Sequence, residues 1–289
     1  MEQKDVVIEI RFPFCPGHCV YCHKNALSRD KKLIPAYWKA LRREVESTAG
    51  ELQGSRIAAV HLGYGVPLEG DADQLADLLL FLRRTLPVGP DTRWSMRVLP
   101  YQLSAAALTV LRNAGIGQLV LETETCRSDE FAKLQRPYYF AAFDGAVSLL
   151  SMVRQQGVHL EVLLGIPGQT ADTVRETLTY ALKAKPDGIV LHWFDPSQAE
   201  TPAMQQLYTA AVQCLAQSGM QPYADALHYA FPGRELAFPL AKSRPHERVG
   251  FGAGAVTELD GLRYHNTPNL FVYMAHPDEP ALIACPEQA

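Results

Sequence analysis

The sequence predicts an α/β fold, an incomplete (β/α)6 barrel with a short irregular C-terminal extension. Two observations predict it. Short β-rich runs alternate with longer stretches of helical spacing, six times in succession, and that alternation is the signature of a parallel sheet covered by helices. The chain has 289 residues, whereas a closed eight-unit barrel alone takes ~250. Six units therefore give an open barrel, spanning 1–220, and leave 221–289 as an extension over the barrel mouth.

The elements follow in order. Val6–Arg11 is apolar and rich in β-branched residues, the composition of a strand. Ala36–Gly50 repeats its apolar residues Tyr37, Leu41 and Val45 at helical spacing. Ile57–Leu62 is the second strand, and Ala72–Leu86 its helix, apolar at Leu75, Leu78, Leu79 and Leu82. Arg93–Val98 is the third strand, followed by a helix over Ser104–Ala114 with Ser104 as N-cap. Gln118–Leu121 is the fourth, trailed by helical Asp129–Leu134 and Ala141–Gln156. Leu160–Leu164 and helix Ala171–Lys183 make the fifth unit; Gly188–Phe194 and helix Pro202–Ser218 make the sixth. From about Gln221 the pattern turns irregular and rich in Pro, Gly and aromatics.

Composition excludes several classes of function. Hydrophobic residues make up 47% and charged ones 20%, an ordinary globular balance. A formal net charge of −4 gives no electrostatic case for nucleic acid or an anionic membrane as partner. The N-terminus lacks the basic-then-apolar layout of a signal peptide, and no stretch approaches the ~20 apolar residues that span a bilayer. These features predict a cytoplasmic protein in a thiol-reducing compartment. Cys126, Cys214 and Cys285 are scattered and read as incidental thiols.

The chemistry concentrates in Phe12–His23. Cys15, Cys19 and Cys22 are spaced C-x3-C-x2-C directly after the first strand, where the active-site loops of such folds lie. Three thiolates on one short loop suit an iron–sulfur cluster, whose irons are held by cysteine sulfurs. A cubane has four irons, so one is left for a ligand from elsewhere. A Cys3His zinc site using His18 or His23 competes, although structural zinc more often pairs two such clusters. A disulfide framework is disfavoured, because this loop holds an odd cluster of three cysteines in a large chain without a secretion signal.

With Pro13-Phe14-Cys15 and Val20-Tyr21-Cys22 flanking it, this loop resembles the radical S-adenosylmethionine (SAM) superfamily, in the branch of oxygen-independent coproporphyrinogen III oxidase. The resemblance covers about residues 6 to 273. It implies a [4Fe–4S] cluster on Cys15, Cys19 and Cys22, with SAM on the open iron and an electron donor such as flavodoxin or ferredoxin. Relatives in this branch that methylate carbon bind two SAM molecules, so one or two are implied.

The same resemblance implies the rest of the site. Tyr21 precedes the last cysteine. Gly63-Tyr64-Gly65 at the end of strand two matches, by position, the glycine-rich motif that holds the SAM amino group. Leu163–Thr170, containing Ile166, is close to the family's Gly-Leu-Pro-Gly-Gln-Thr and packs near the adenosine. Glu161 stands where the family has an aspartate, and Arg136 in Leu134-Gln-Arg-Pro137 becomes a partner for a SAM carboxylate. Val249–Ala255, ending in Ala255 and followed by Asn266, resembles the segment that helps bind the second SAM in the oxidase.

The chain also departs from the pattern. Tyr64 interrupts the glycines and Val66 replaces the usual threonine. Arg97 stands in place of an acidic SAM contact and Glu124 in place of a glutamine. A swap of this kind keeps local neutrality if Arg97 pairs with Glu122 or Glu124. Glu9 occupies the place of a substrate-side tyrosine. The leading expectation is a radical SAM enzyme acting on a small organic or peptide-derived substrate, by C-methylation, cyclopropanation or oxidoreduction. The alternatives are a haem-transfer protein, with His228, His246 and His265 as axial ligands, and a degenerate scaffold that keeps the cluster.

Overall fold

A computed structural model describes residues 4–22, 27–28, 32–69, 72–136, 140–153, 157–244 and 246–282. His23, Pro137, the end of the helix predicted to reach Gln156, and Cys285 lie outside them.

Six strands run parallel in sequence order: β1 (Asp5–Phe12), β2 (Arg56–Tyr64), β3 (Arg93–Val98), β4 (Gln118–Glu124), β5 (Val158–Leu164) and β6 (Gly188–Trp193). Every residue of β4 and β5 is buried, as expected of parallel strands covered on both faces. The covering helices are α1 (Leu33–Thr48), α2 (Ala72–Thr85), α3 (Ala105–Asn113), α4 (Ser128–Lys133), α5 (Ala141–Val153), α6 (Ala171–Ala181) and α7 (Pro202–Gln217). The fold is the predicted α/β partial barrel.

Local chemistry accounts for the boundaries. The Ser104 hydroxyl accepts from the Ala107 N–H at 3.0 Å and caps α3 as predicted. Thr170 caps α6, accepting from the Thr173 N–H at 3.3 Å. α1 starts at Leu33 rather than Ala36, because Pro35 falls in its first turn, where no intrahelical carbonyl needs its missing N–H. β4 continues three residues past the predicted Leu121, and a bulge between Glu122 and Glu124 shifts its register against β5.

Beyond 220 the chain carries more regular structure than its sequence pattern predicts. It forms β7 (Gln221–Tyr223), β8 (His228–Ala230), α8 (Ala237–Lys242), β9 (Glu247–Phe251), β10 (Val256–Leu259), β11 (Leu262–His265), α9 (Leu270–Ala275) and β12 (Ala281–Leu282). These strands extend the sheet at both edges: β8 pairs antiparallel with β6, and β9 pairs parallel with β1. Residues 236–241 pack inside the barrel, where Phe238 and Ala241 meet Val7 and Ala59, and Leu236 meets Val120 and Val190. Polar groups at the strand starts hold them there: Gln118 donates to the Glu235 carbonyl at 2.9 Å and accepts from the Ala237 N–H at 3.0 Å. His159 Nε2 meets the Arg234 carbonyl at 3.0 Å. Burial pushes His159 down to about 3, so it stays neutral.

Candidate functional site

The end of β1 leads straight into the cysteine loop. Phe14–Cys15 forms a two-residue parallel pair with Leu27–Ser28, and the Cys22 N–H closes a turn on the Cys19 carbonyl at 3.0 Å. Cys15, Cys19 and Cys22 are each partly buried. All three line one cavity of about 360 Å³ at the C-terminal ends of the strands. Tyr21, Tyr64, Glu124, Arg136 and Glu161 line it too, as do His18, Val66, Arg97 and Glu122, so most of the residues singled out from the sequence converge there.

The floor of the cavity is a buried ion network. Arg97 bonds to Glu122, and to Glu161 at 2.6 Å. Arg136 bonds to Glu122 at 2.7 Å, pairs with Glu124 and donates to Cys19 Sγ at 3.2 Å. Tyr21 donates to Glu124 at 3.0 Å, and His192 meets Glu161 at 2.9 Å. Arg97 thus pairs with Glu122 as expected but takes Glu161, not Glu124, as its second partner. Arg136, expected on a cofactor carboxylate, is held by two glutamates of its own chain. Burial pulls the Arg97 pKa down, yet Glu161 and Glu122 outweigh it and the guanidinium ends above its ordinary value. Burial pushes the Cys19 thiol up, and Arg136 opposes it.

Backbone strain marks the same place. Tyr64 (φ 75°), Glu124 (φ 50°) and Gln135 (φ 50°) are left-handed non-glycine residues beside the cavity, a conformation that costs ~1–3 kcal/mol and clusters at functional sites. Tyr64, which interrupts the glycine motif, therefore takes up a glycine-like backbone and still delivers a ring to the cavity, with the Arg11 guanidinium 4.7 Å from its centroid.

Gly63, Gly65, Ile166 and Ala255 support the site rather than line it. The Gly65 N–H donates to the Phe12 carbonyl at 2.9 Å, and a Cβ there would lie 2.3 Å from that oxygen. Gly63 is packed against the His61 ring. Ile166 is buried with Phe131, Leu134 and Leu163 beneath Tyr21. Ala255 belongs to the terminal glycine-rich loop, which is bound to α1: Glu44 accepts from the Gly252 N–H at 2.9 Å, from Asn266 and from Tyr273. Burial drives Glu44 up to about 7, although these three donors pull it down.

A second chamber, about 390 Å³, lies deeper in the barrel and shares Tyr64, Arg97, Glu161 and His192 with the first. Glu9, His61, Ser95 and His228 line it as well. Sequence reasoning missed His61, Ser95 and His192; the available signal was a polar residue on the inward alternation of an otherwise apolar strand. The three histidines named as axial ligands do not meet. His228 bonds to Asp225 at 2.7 Å in the deep chamber, His246 lies 3.3 Å from Asp5, and His265 sits on β11 at the opposite sheet edge. Cys126 packs beside Thr177, outside the cavity.

Residues 10–181, more than half of the chain, match the family model described as the radical SAM superfamily. The chain belongs to the radical SAM superfamily. Among the relatives of this radical SAM protein, the haem chaperone HemW of Bacillus subtilis (strain 168) is 24% identical over 277 residues, covering 89% of this chain and 72% of that protein. The anaerobilin synthase of Escherichia coli O157:H7 is 25% identical over 292 residues, covering 91% of this chain and 63% of that protein. In fold, the chain is similar to the coproporphyrinogen III oxidase HemN of Escherichia coli, with a TM-score of 0.81 and 21% identity over 97% of this chain and 71% of that one.

The residues present fit the groups this superfamily uses. A cubane takes one cysteine per iron, and three cysteine side chains open on one cavity. Among the described residues, no three Cys, His, Asp or Glu side chains converge as a single metal ion requires. Around the cavity the three carboxylates Glu122, Glu124 and Glu161 outnumber the guanidiniums of Arg97 and Arg136, an excess suited to a cationic sulfonium. Arg97 Nε is buried with no hydrogen-bond partner among the described residues, so a donor remains for a ligand. No described helix is long and apolar enough to cross a membrane.

Proposed function

We propose that this radical SAM protein is an enzyme that cleaves SAM reductively and abstracts hydrogen from a small organic or peptide-derived substrate, by C-methylation with a second SAM or by oxidoreduction. The observation that carries the reading is the adjacency of the two chambers: the cysteine-lined cavity and the deeper one share Tyr64, Arg97, Glu161 and His192 as lining. When bound, the cluster and SAM supply the one-electron cleavage to methionine and a 5′-deoxyadenosyl radical; the protein supplies position and exclusion.

The roles of this chain's residues follow from their places. Cys15, Cys19 and Cys22 hold the cluster, and Glu122, Glu124 and Glu161 face the cationic part of SAM. Leu99, Val162, Leu163 and Trp193 give the cavity apolar walls that keep water from a reactive intermediate. Flavodoxin or ferredoxin serves as electron donor in the cytoplasm. The described residues between 221 and 282 fill the barrel from below and extend its sheet at the β1 and β6 edges.

A second reading is haem transfer without catalysis, favoured by the several haem chaperones among the relatives. One experiment separates the two. The protein is reconstituted anaerobically with iron and sulfide, given SAM and dithionite, and assayed for 5′-deoxyadenosine. Its formation, abolished in Cys19→Ala, supports the enzyme. A loaded cluster that yields none, together with tight haem binding, supports transfer.

A further inference from the structure

We infer that Arg136 is a positioning residue that raises the reduction potential of the cluster through the Cys19 sulfur; the inference rests on the cluster reading above. Arg136 lies 117 positions from Cys19, yet its Nη1 donates to the Cys19 sulfur at 3.2 Å. Further contacts hold the guanidinium through its two terminal nitrogens. Nη2 bonds to Glu122 at 2.7 Å and pairs with Glu124. Its carbon sits 5.4 Å from the centroid of the Tyr21 ring, and the Tyr21 hydroxyl bonds in turn to Glu124 at 3.0 Å. The backbone joins the same two segments, through the Val20 N–H and the Leu134 carbonyl at 3.4 Å. Gln135, left-handed at φ 50°, turns the chain between Leu134 and Arg136. The Arg136 side chain is only 4% exposed.

The physical consequence concerns charge. One electron from a low-potential donor takes the cluster from its 2+ to its 1+ state, with no bond made or broken. The added negative charge spreads onto the cysteine sulfurs, so a hydrogen bond or a cation at a sulfur favours the reduced form. Arginine stays protonated at every working pH, so this contribution does not titrate. Burial keeps water and salt from screening it. Glu122 and Glu124 do two things: they clamp the guanidinium in place, and they set how much of its charge the sulfur feels. Replacing Arg136 and replacing Glu122 must therefore move the potential in opposite directions.

The test is a redox titration of the reconstituted full-length protein without SAM, followed by the electron paramagnetic resonance signal of the reduced cluster. Iron and sulfide per chain are measured in each variant. Arg136→Gln is expected to lower the reduced-to-oxidised ratio about tenfold at fixed ambient potential, a shift of about 59 mV for one electron. Arg136→Lys, which keeps the charge but loses the fork, is expected to shift less. Glu122→Gln is expected to raise the potential. An Arg136→Gln protein with full iron content and an unchanged potential overturns the inference, whatever happens to SAM affinity. If Arg136→Gln does not load iron, an unchanged potential in Glu122→Gln overturns it equally. A wild-type protein that binds no iron and sulfide would refute the cluster reading instead.

Discussion

Replacing Glu44 by Gln should expose a pH dependence of stability that the native protein conceals. Glu44 is buried at the junction of α1, the terminal glycine-rich loop and α9, and its pKa is raised by burial to about 7 from an ordinary 4.5. A carboxyl that binds its proton more tightly when folded makes the native state the more protonated one between those values. Stability from this group is then fully present below about 4.5 and is lost as pH rises through about 7. Between pH 5 and pH 8 the loss is about 2–3 kcal/mol. His159 works in the opposite sense. Its folded pKa of about 3 lies below the ordinary 6.5, so it removes about 2 kcal/mol at pH 5 relative to pH 8. The two nearly cancel in the native protein. Glu44→Gln keeps acceptors for Gly252 and Tyr273 but turns an amide donor toward Asn266, whose amide also serves the Gly252 carbonyl at 2.9 Å. The variant should be less stable at every pH, with the deficit larger at pH 5 than at pH 8 by about 2–3 kcal/mol. Urea unfolding followed by tryptophan fluorescence, with both proteins in the same state of iron loading, measures that difference directly. A deficit equal at the two pH values, within ~0.5 kcal/mol, would refute the reasoning.

Two other substitutions probe the site. Arg97→Met removes the cation between Glu122 and Glu161, leaving Glu122 to Arg136 and Glu161 to His192. It should cost about 3–5 kcal/mol in chemical denaturation, with part restored by Arg97→Lys, and a loss under ~1 kcal/mol would mean that the network is solvated. Gly65→Ala puts a Cβ 2.3 Å from the Phe12 carbonyl and 2.5 Å from that of Phe14. Because the obstacle is backbone, the start of the cysteine loop must move. Iron retained after anaerobic reconstitution should fall to less than about half of the native value, a loss of transition-metal affinity of the size seen when supporting residues are disturbed. Native iron content in this variant would show that the loop is positioned by other contacts.

The amino-acid sequence by itself determined the elements and the locus of the chemistry. The strands were visible because Val6–Ile10 and Leu160–Leu164 are apolar runs bounded by helical spacing, and Ser104 caps its helix with a bond three residues away. The cysteine loop was visible because its three donors lie within eight residues of chain. All of these are local signals, carried by residues a few positions apart. Tertiary structure alone decided the partners. Arg97 reaches Glu161, 64 positions on, because β3, β4 and β5 lie side by side. Glu44 holds the loop at Gly252, 208 positions on, because β9 returns to pair with β1. Residues 221–282 join both sheet edges because those edges present backbone groups that need pairing, and no short-range pattern records which edge each strand takes. Arg136 illustrates the division: its chemistry suits any carboxylate, but the left-handed turn at Gln135 and the bulge in β4 aim it at Cys19, Glu122 and Glu124. Charge pairing across a sheet follows strand order and register, and those are settled only when the whole core packs.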